Sequence, residues 1–307
     1  MKIDITSRDF TLVFLIIVGL VFILEMNTVL KSHIVFGDEG FHAGIARWIA
    51  QNKEYPQWNP LGYTNLSQTN FARPPLFHLL EAGFLLILGR HELIFKFLSP
   101  FIAALTLIAC YLLVKGLYNK ELGLISSLIL IGLPSFVTYA VLVFDEILFV
   151  FNMMLFTFTF LLAVKENSKK YWMLSTIFAG LTILTKNVGI VLILFIPLAF
   201  LYILLKERNF KYNVKRFAAF AIIILLVTGP FFLRNIAHYN TPVCYGLPFL
   251  NQDTRGCEKF EVVEKRSFEV RTLSGGTENS IMRDYFKSEE FGIVNEKILE
   301  QKINKYS

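Results

Sequence analysis

Cysteine is scarce in this chain, three residues in 307. None of the spacings is that of a zinc ligand set, which excludes a zinc module. Cys110 lies inside an apolar run, whereas Cys244 and Cys257 share a polar C-terminal region and would pair if that region is extracytoplasmic. No internal repeat and no low-complexity tract is found, so repeat architectures are excluded as well. The first apolar run, residues 10–30, has no small-residue cleavage site behind it and reads as an anchor rather than a removed signal.

What the chain has in quantity is apolar surface. Hydrophobic residues make up 54%, Phe alone occurs 31 times, and the mean hydropathy is +0.53. These values place it in the multi-spanning membrane class. The net charge of +6 does not point to nucleic acid, because Lys and Arg lie in short clusters between apolar runs, as in cytoplasmic loops.

The basic clusters decide the topology. Lys115 and Lys120, then Lys165, Lys169 and Lys170, then Lys206, Arg208, Lys211, Lys215 and Arg216 all belong in the cytoplasm. They share that side only if the short apolar stretch 74–89 does not cross. The expected fold is an all-α polytopic bundle with crossings at 10–30, 92–114, 121–143, 147–164, 171–185, 188–205 and 217–236. The expected organisation is a transmembrane module, 1–237, with a long loop at 31–91, followed by an extracytoplasmic polar tail, 238–307. Lys2 and Arg8 put the N-terminus in the cytoplasm. In the tail, Ile281, Tyr285, Phe286, Phe291, Val294 and Ile298 have helical apolar spacing.

Within the loop, Asp38 and Glu39 stand immediately after the first span. Carboxyl groups so close to hydrocarbon must face water, a cation or a substrate. Phe41, Ile45, Trp48 and Ile49 recur at helical spacing, which predicts a helix lying in the membrane interface with Asp38 as its N-cap and His42 one turn on. In the seven-crossing topology Asp38, Glu39, Arg73, Asp145, Glu146, Lys186 and Arg234 all fall at the extracytoplasmic ends of spans. Fixed cations beside carboxylates at bilayer depth suit transfer of a sugar from a lipid phosphate to a hydroxyl. One carboxylate takes the acceptor proton and the cations hold the departing phosphate.

Each residue also has a plainer reading. Asp38 and Glu39 satisfy a helix dipole equally well; Arg73 and Arg234 suit interfacial anchoring; Lys186 suits a hairpin turn; His42 suits a neutral interfacial histidine. Asp145 and Glu146 resist such a reading, since each acid at mid-membrane costs about 2.5–3.5 kcal/mol.

The series Asp38-Glu39, Arg73-Pro74-Pro75, Asp145, Leu184-Thr185-Lys186 and Gly229-Pro230-Phe231-Phe232-Leu233-Arg234-Asn235 resembles the C-type (GT-C) glycosyltransferases of the protein O-mannosyltransferase and aminoarabinose transferase group. The resemblance runs over residues 8–243. It implies Asp38 as catalytic base, Asp145 in the same cavity, and Arg73 and Lys186 at the donor phosphate; by their shared side Glu39 joins the catalytic group and Arg234 the phosphate group. His42 and Glu146 stand as acceptor contacts or supports. It further implies a polyprenyl-phosphate-linked sugar as donor, inversion at the anomeric carbon, and a protein, glycan or lipid acceptor. Family members usually continue with further spans, which leaves a minimal enzyme, a fragment or one half of a complex. The nearby acids would suit a divalent cation, but the mannosyltransferase branch is regarded as metal-independent and no metal is assigned. The rival readings are a non-catalytic glycan-lipid-binding or partner subunit, and a transporter. The transporter is disfavoured because the charges gather at span ends and no repeat is visible.

Overall fold

The computed structural model describes residues 7–32, 34, 38–56, 73–89, 92–206, 210–239 and 242. Cys244, Cys257 and the amphipathic spacing of the tail lie outside them. The described residues form ten α-helices and one 3-10 turn, with no strand: α1 (Ser7–Lys31), α2 (Asp38–Asn52), α3 (Leu76–Leu88), α4 (Glu92–Leu117), α5 (Lys120–Ile131), α6 (Pro134–Val141), α7 (Glu146–Glu166), α8 (Lys169–Thr185), the turn Asn187–Val191, α9 (Leu192–Lys206) and α10 (Phe210–Tyr239).

Five of these segments are long and apolar enough to cross a membrane: Phe10–Lys31, Leu93–Leu117, Glu146–Glu166, Asn187–Leu205 and Asn213–His238. The protein is therefore a multi-pass membrane protein. Its outer residues are correspondingly apolar; on α1, Leu12, Leu15, Ile16, Leu20, Ile23 and Leu24 are each at least half exposed, the surface expected against lipid tails.

The crossing expected at 121–143 is not a straight helix. It breaks into α5 and α6, bent by 70°. The cause is local. Leu133, which precedes Pro134, is extended at φ −78°, ψ 118°, because the proline ring disfavours the helical conformation in the residue before it. Counted as one broken span, the pair is a sixth crossing.

Helix α8 has 17 residues, about 25 Å, short of a hydrocarbon core of about 30 Å. It nevertheless runs the length of α7. The two are joined by Asn167, left-handed at φ 54°, and Ser168, so they form a tight hairpin. At its far end Asn152 of α7 donates to Thr185 Oγ1 of α8 at 3.0 Å.

Lipid tails are as apolar as the side chains, so helix association here rests on close packing of small residues. At Gly180 of α8 an added Cβ would lie 2.7 Å from Cγ1 of Val227 on α10. At Gly123 of α5 it would lie 2.9 Å from the Tyr111 carbonyl oxygen of α4. Phe14 of α1 stacks on Tyr111 at 4.3 Å between centroids. Threonine hydroxyls inside the helices bond the carbonyl one turn back, as Thr106, Thr157, Thr182 and Thr228 do, so these hydroxyls are not stranded in hydrocarbon.

Helix α2 is buried on more faces than its apolar spacing alone indicates: besides Ile45 and Ile49, Ala43, Ala46, Arg47 and Ala50 are buried, and the helix packs on α3 and shares the core cluster with it. Small residues on its other faces let neighbours approach from those sides too. Asp38 is its first helical residue rather than a cap outside it, and Lys53, left-handed at φ 56°, ends it.

Contacts also sort the chain into two ends. Lys120 lies over the Phe10 ring and Arg216 over the Trp172 ring, so the starts of α1, α5, α8 and α10 lie at one end with the basic loops. The opposite end holds the start of α2, the junction of α6 and α7, the Lys186 turn and the end of α10.

Candidate active site

The site is assembled from four breaks between helices. After α6 the chain runs extended at Leu142 and enters α7 at Glu146. Amides in such a linker lack helical partners. The Val143 N–H instead donates to Oε1 of Glu39, at 3.0 Å and fully buried, which ties the first turn of α2 to the linker across the whole loop. Glu39 is 4% exposed, while its neighbour Asp38 is exposed.

Lys186 caps the C-terminus of α8 in an extended conformation, and the turn behind it is tight. Gly189 N–H donates to the Lys186 carbonyl at 2.8 Å, and a Cβ at Gly189 would lie 2.6 Å from the Thr182 carbonyl oxygen. The Lys186 ammonium donates to Oδ1 of Asp145 at 3.0 Å and to Oε1 of Glu146. Burial pushes the Asp145 carboxyl up to about 6, against the pull of Lys186 and with further help from Glu146. Burial alone would lower the Lys186 ammonium, but Asp145 and Glu146 together hold it above its ordinary value.

Arg73 precedes the two prolines that start α3. Its guanidinium lies 4.4 Å from the centre of the Phe41 ring, and its carbonyl accepts from the Tyr55 hydroxyl at 2.7 Å. Arg234, near the end of α10, lies 4.9 Å from the centre of the Tyr55 ring and donates to the Pro56 carbonyl and, at 2.9 Å, to Asn235. His42 bonds His78 of α3, Nδ1 to Nε2, at 2.9 Å, and its ring meets Phe144 edge to face. Burial first, then the neighbouring His78, Arg73 and Lys186, hold the His42 imidazole well below its ordinary range.

All eight site residues expected from the sequence therefore lie at one end of the bundle, and the last seven are linked by these contacts. Lys186 is paired with two acids, Asp145 and Glu146. Among the described residues no group of three or more His, Cys, Asp or Glu is arranged to hold a metal.

Two buried residues were not anticipated, His78 and Glu81. Both oxygens of the Glu81 carboxyl are buried without a hydrogen-bond partner, and Asp145 acts on it electrostatically. The signal was available: ionisable residues at positions 78 and 81 interrupt an otherwise apolar 13-residue helix.

Residues 72–232 match the family described as dolichyl-phosphate-mannose-protein mannosyltransferase. The chain belongs to that family. The match begins at the Arg73-Pro74-Pro75 element and runs through the Lys186 turn to the middle of α10. Among solved structures the chain is similar to ArnT from Cupriavidus metallidurans, crystallised bound to undecaprenyl phosphate and in the apo state. For each the TM-score is 0.59 with 17% identity, over 76% of this chain and 43% of ArnT. At that identity the likeness shows a shared GT-C fold, and the chain spans less than half the length of ArnT. No curated protein sequence matches significantly.

Proposed function

We propose that the chain carries the donor site and catalytic base of a membrane glycosyltransferase that moves a sugar from a polyprenyl-phosphate donor to a hydroxyl acceptor on the extracytoplasmic side. The observation that carries the reading is the convergence of Arg73, Lys186 and Arg234 with Asp38, Glu39 and Asp145 at one end of the bundle, with Asp38 exposed. The family match and the ArnT crystal structure with undecaprenyl phosphate support the class of donor.

In this mechanism Asp38 takes the proton of the acceptor hydroxyl as its oxygen bonds to the anomeric carbon. The bond from that carbon to the phosphate oxygen breaks, and the carrier phosphate departs with the electron pair. Inversion follows from attack opposite the leaving group. Arg73, held against Phe41, meets the phosphate as its charge grows. Lys186 begins clamped by Asp145 and Glu146. Burial raises the Asp145 carboxyl, which weakens its hold on the ammonium and lets an arriving phosphate compete for Lys186. The basic loops lie in the cytoplasm by the positive-inside rule, which puts this site outside and makes α8 a crossing.

Purified protein in liposomes, given a panel of polyprenyl-phosphate sugars and assayed for product, tests the reading. Asp38→Asn should lower transfer by about 10² to 10⁴ while donor binding persists, the usual contribution of a general base. Transfer within a few-fold of the parent would remove Asp38 as the base. A second reading is a subunit that binds the glycan lipid without catalysing transfer. Donor binding with no transfer by the parent protein would select it.

A further inference from the structure

The loop between α2 and α3 leaves these two helices without a short covalent link, yet the candidate base begins α2 and the candidate phosphate cation stands just before α3. Their register depends on contacts, and the deepest polar one is the bond between His42 and His78. Both histidines are at most 2% exposed. His42 lies one turn after Asp38, on the same side of α2, and His78 one turn after Pro74.

The surroundings restrict how the pair can work. Phe77 and Phe144 meet the His42 ring edge to face, and the two imidazoles are stacked at 5.0 Å between centroids. The charged groups acting on His42 are Arg73 from the α3 side and Lys186 from the α8 turn, with Asp38 and Glu39 on its own helix. Lys186 is itself occupied by Asp145 and Glu146. A neutral imidazole pair has one N–H and one bare nitrogen to share, so a single proton between Nδ1 of His42 and Nε2 of His78 makes the bond in either tautomer. A second proton on the pair would set two N–H groups against each other, beside two fixed cations.

We propose that the His42–His78 pair is the positioning element that sets the Asp38 turn of α2 against the Arg73 turn of α3. This rests on the roles proposed above for Asp38 and Arg73, and it assigns to His78 a part in transfer without contact with substrate. If the pair were only core packing, a side chain of similar shape would serve as well as one with the right polar atom.

Three variants separate the two ideas: His78→Phe keeps the ring volume, His78→Gln restores a neutral polar atom near Nε2, and His42→Asn does the same near Nδ1. With polyprenyl-phosphate mannose as donor in liposomes, His78→Phe should lower kcat at least 10-fold with the donor KM within about 3-fold. His78→Gln should recover most of the loss. Equal kcat in parent and His78→Phe, or a Gln variant no better than Phe, overturns the proposal.

A second readout is independent of transfer. Spin labels at Asn52 and Ile87, both exposed, report the separation of α2 and α3 in a background with Cys110, Cys244 and Cys257 replaced by alanine. The distance distribution should be narrow and unchanged from pH 8 to pH 6 in the parent and broadened in His78→Phe. If the parent transfers no sugar from any donor of the panel, the proposed function fails. A narrow parent distribution that His78→Phe broadens would still uphold the positioning, and identical distributions would overturn it.

Discussion

Removing the Glu39 side chain should cost far more than a surface acid would, because of what it holds. Its Oε1 is 3.0 Å from the Val143 amide, and Val143 is fully buried in the linker between α6 and α7. In Glu39→Ala that N–H keeps no acceptor, and an unsatisfied buried donor costs about 1–3 kcal/mol. The ring contact of His42 with Phe144, in the same seam, is worth only about 0.5–1.5 kcal/mol and cannot hold the linker alone. We expect a loss of about 2 kcal/mol for Glu39→Ala and less than about 1 kcal/mol for Glu39→Gln, whose amide oxygen still accepts. Reversible unfolding by SDS titration in mixed micelles reads both values. Transfer should fall with Glu39→Ala in the same preparation, because the freed linker carries Asp145. If Glu39→Ala unfolds within about 0.5 kcal/mol of the parent, or if Gln costs as much as Ala, the bond to Val143 does not hold the linker and the reasoning fails.

Lys186→Gln leaves Asp145 and Glu146 facing each other, so it should destabilise clearly at pH 8 and much less at pH 5, where Asp145 binds a proton; an equal loss at both values would refute the pairing. Asp145 has a raised folded pKa, so its contribution to stability is complete below about pH 4, the ordinary carboxylate value, and lost as pH rises through about 6. The parent minus Asp145→Asn difference in unfolding midpoint should follow that sign between pH 4 and 7. Gly180→Ala should cost about 1–3 kcal/mol through the clash with Val227, and the added change Val227→Ala should recover most of it, which the same SDS titration reads. A membrane-impermeant thiol reagent, applied to intact cells after reduction, should label Cys244 and Cys257; labelling only after permeabilisation would reverse the proposed orientation.

Much of the bundle was legible because charge and apolar length are strong one-dimensional signals. Every expected crossing coincides with a helix or helix pair, and the acids and bases at run ends do meet at one end of the bundle. The break at Leu133-Pro134 was equally present in the sequence, as Gly132 and Pro134 inside one apolar run, but a long run masks a bend. The burial of α2 on more than one face was not read, because its large residues do make one face. The small residues Ala43, Ala46 and Ala50, which admit neighbours on the other faces, carry no hydropathy signal of their own. The bond between His42 and His78 depends on two helices meeting across 36 positions, which no local pattern encodes.

The shortness of α8 has a bearing on the membrane itself. In the proposed topology α8 is a crossing about 25 Å tall in hydrocarbon about 30 Å thick, a mismatch of about 5 Å that local thinning of the bilayer would take up. With the basic end among headgroups, as proposed, the thinning would fall on the opposite leaflet, at Lys186. There the surface would dip into a shallow dimple whose floor is the charged turn. A long-chain carrier drifting in that leaflet would slide downhill into the dimple and bring its phosphate level with the lysine without lifting its tail from the hydrocarbon.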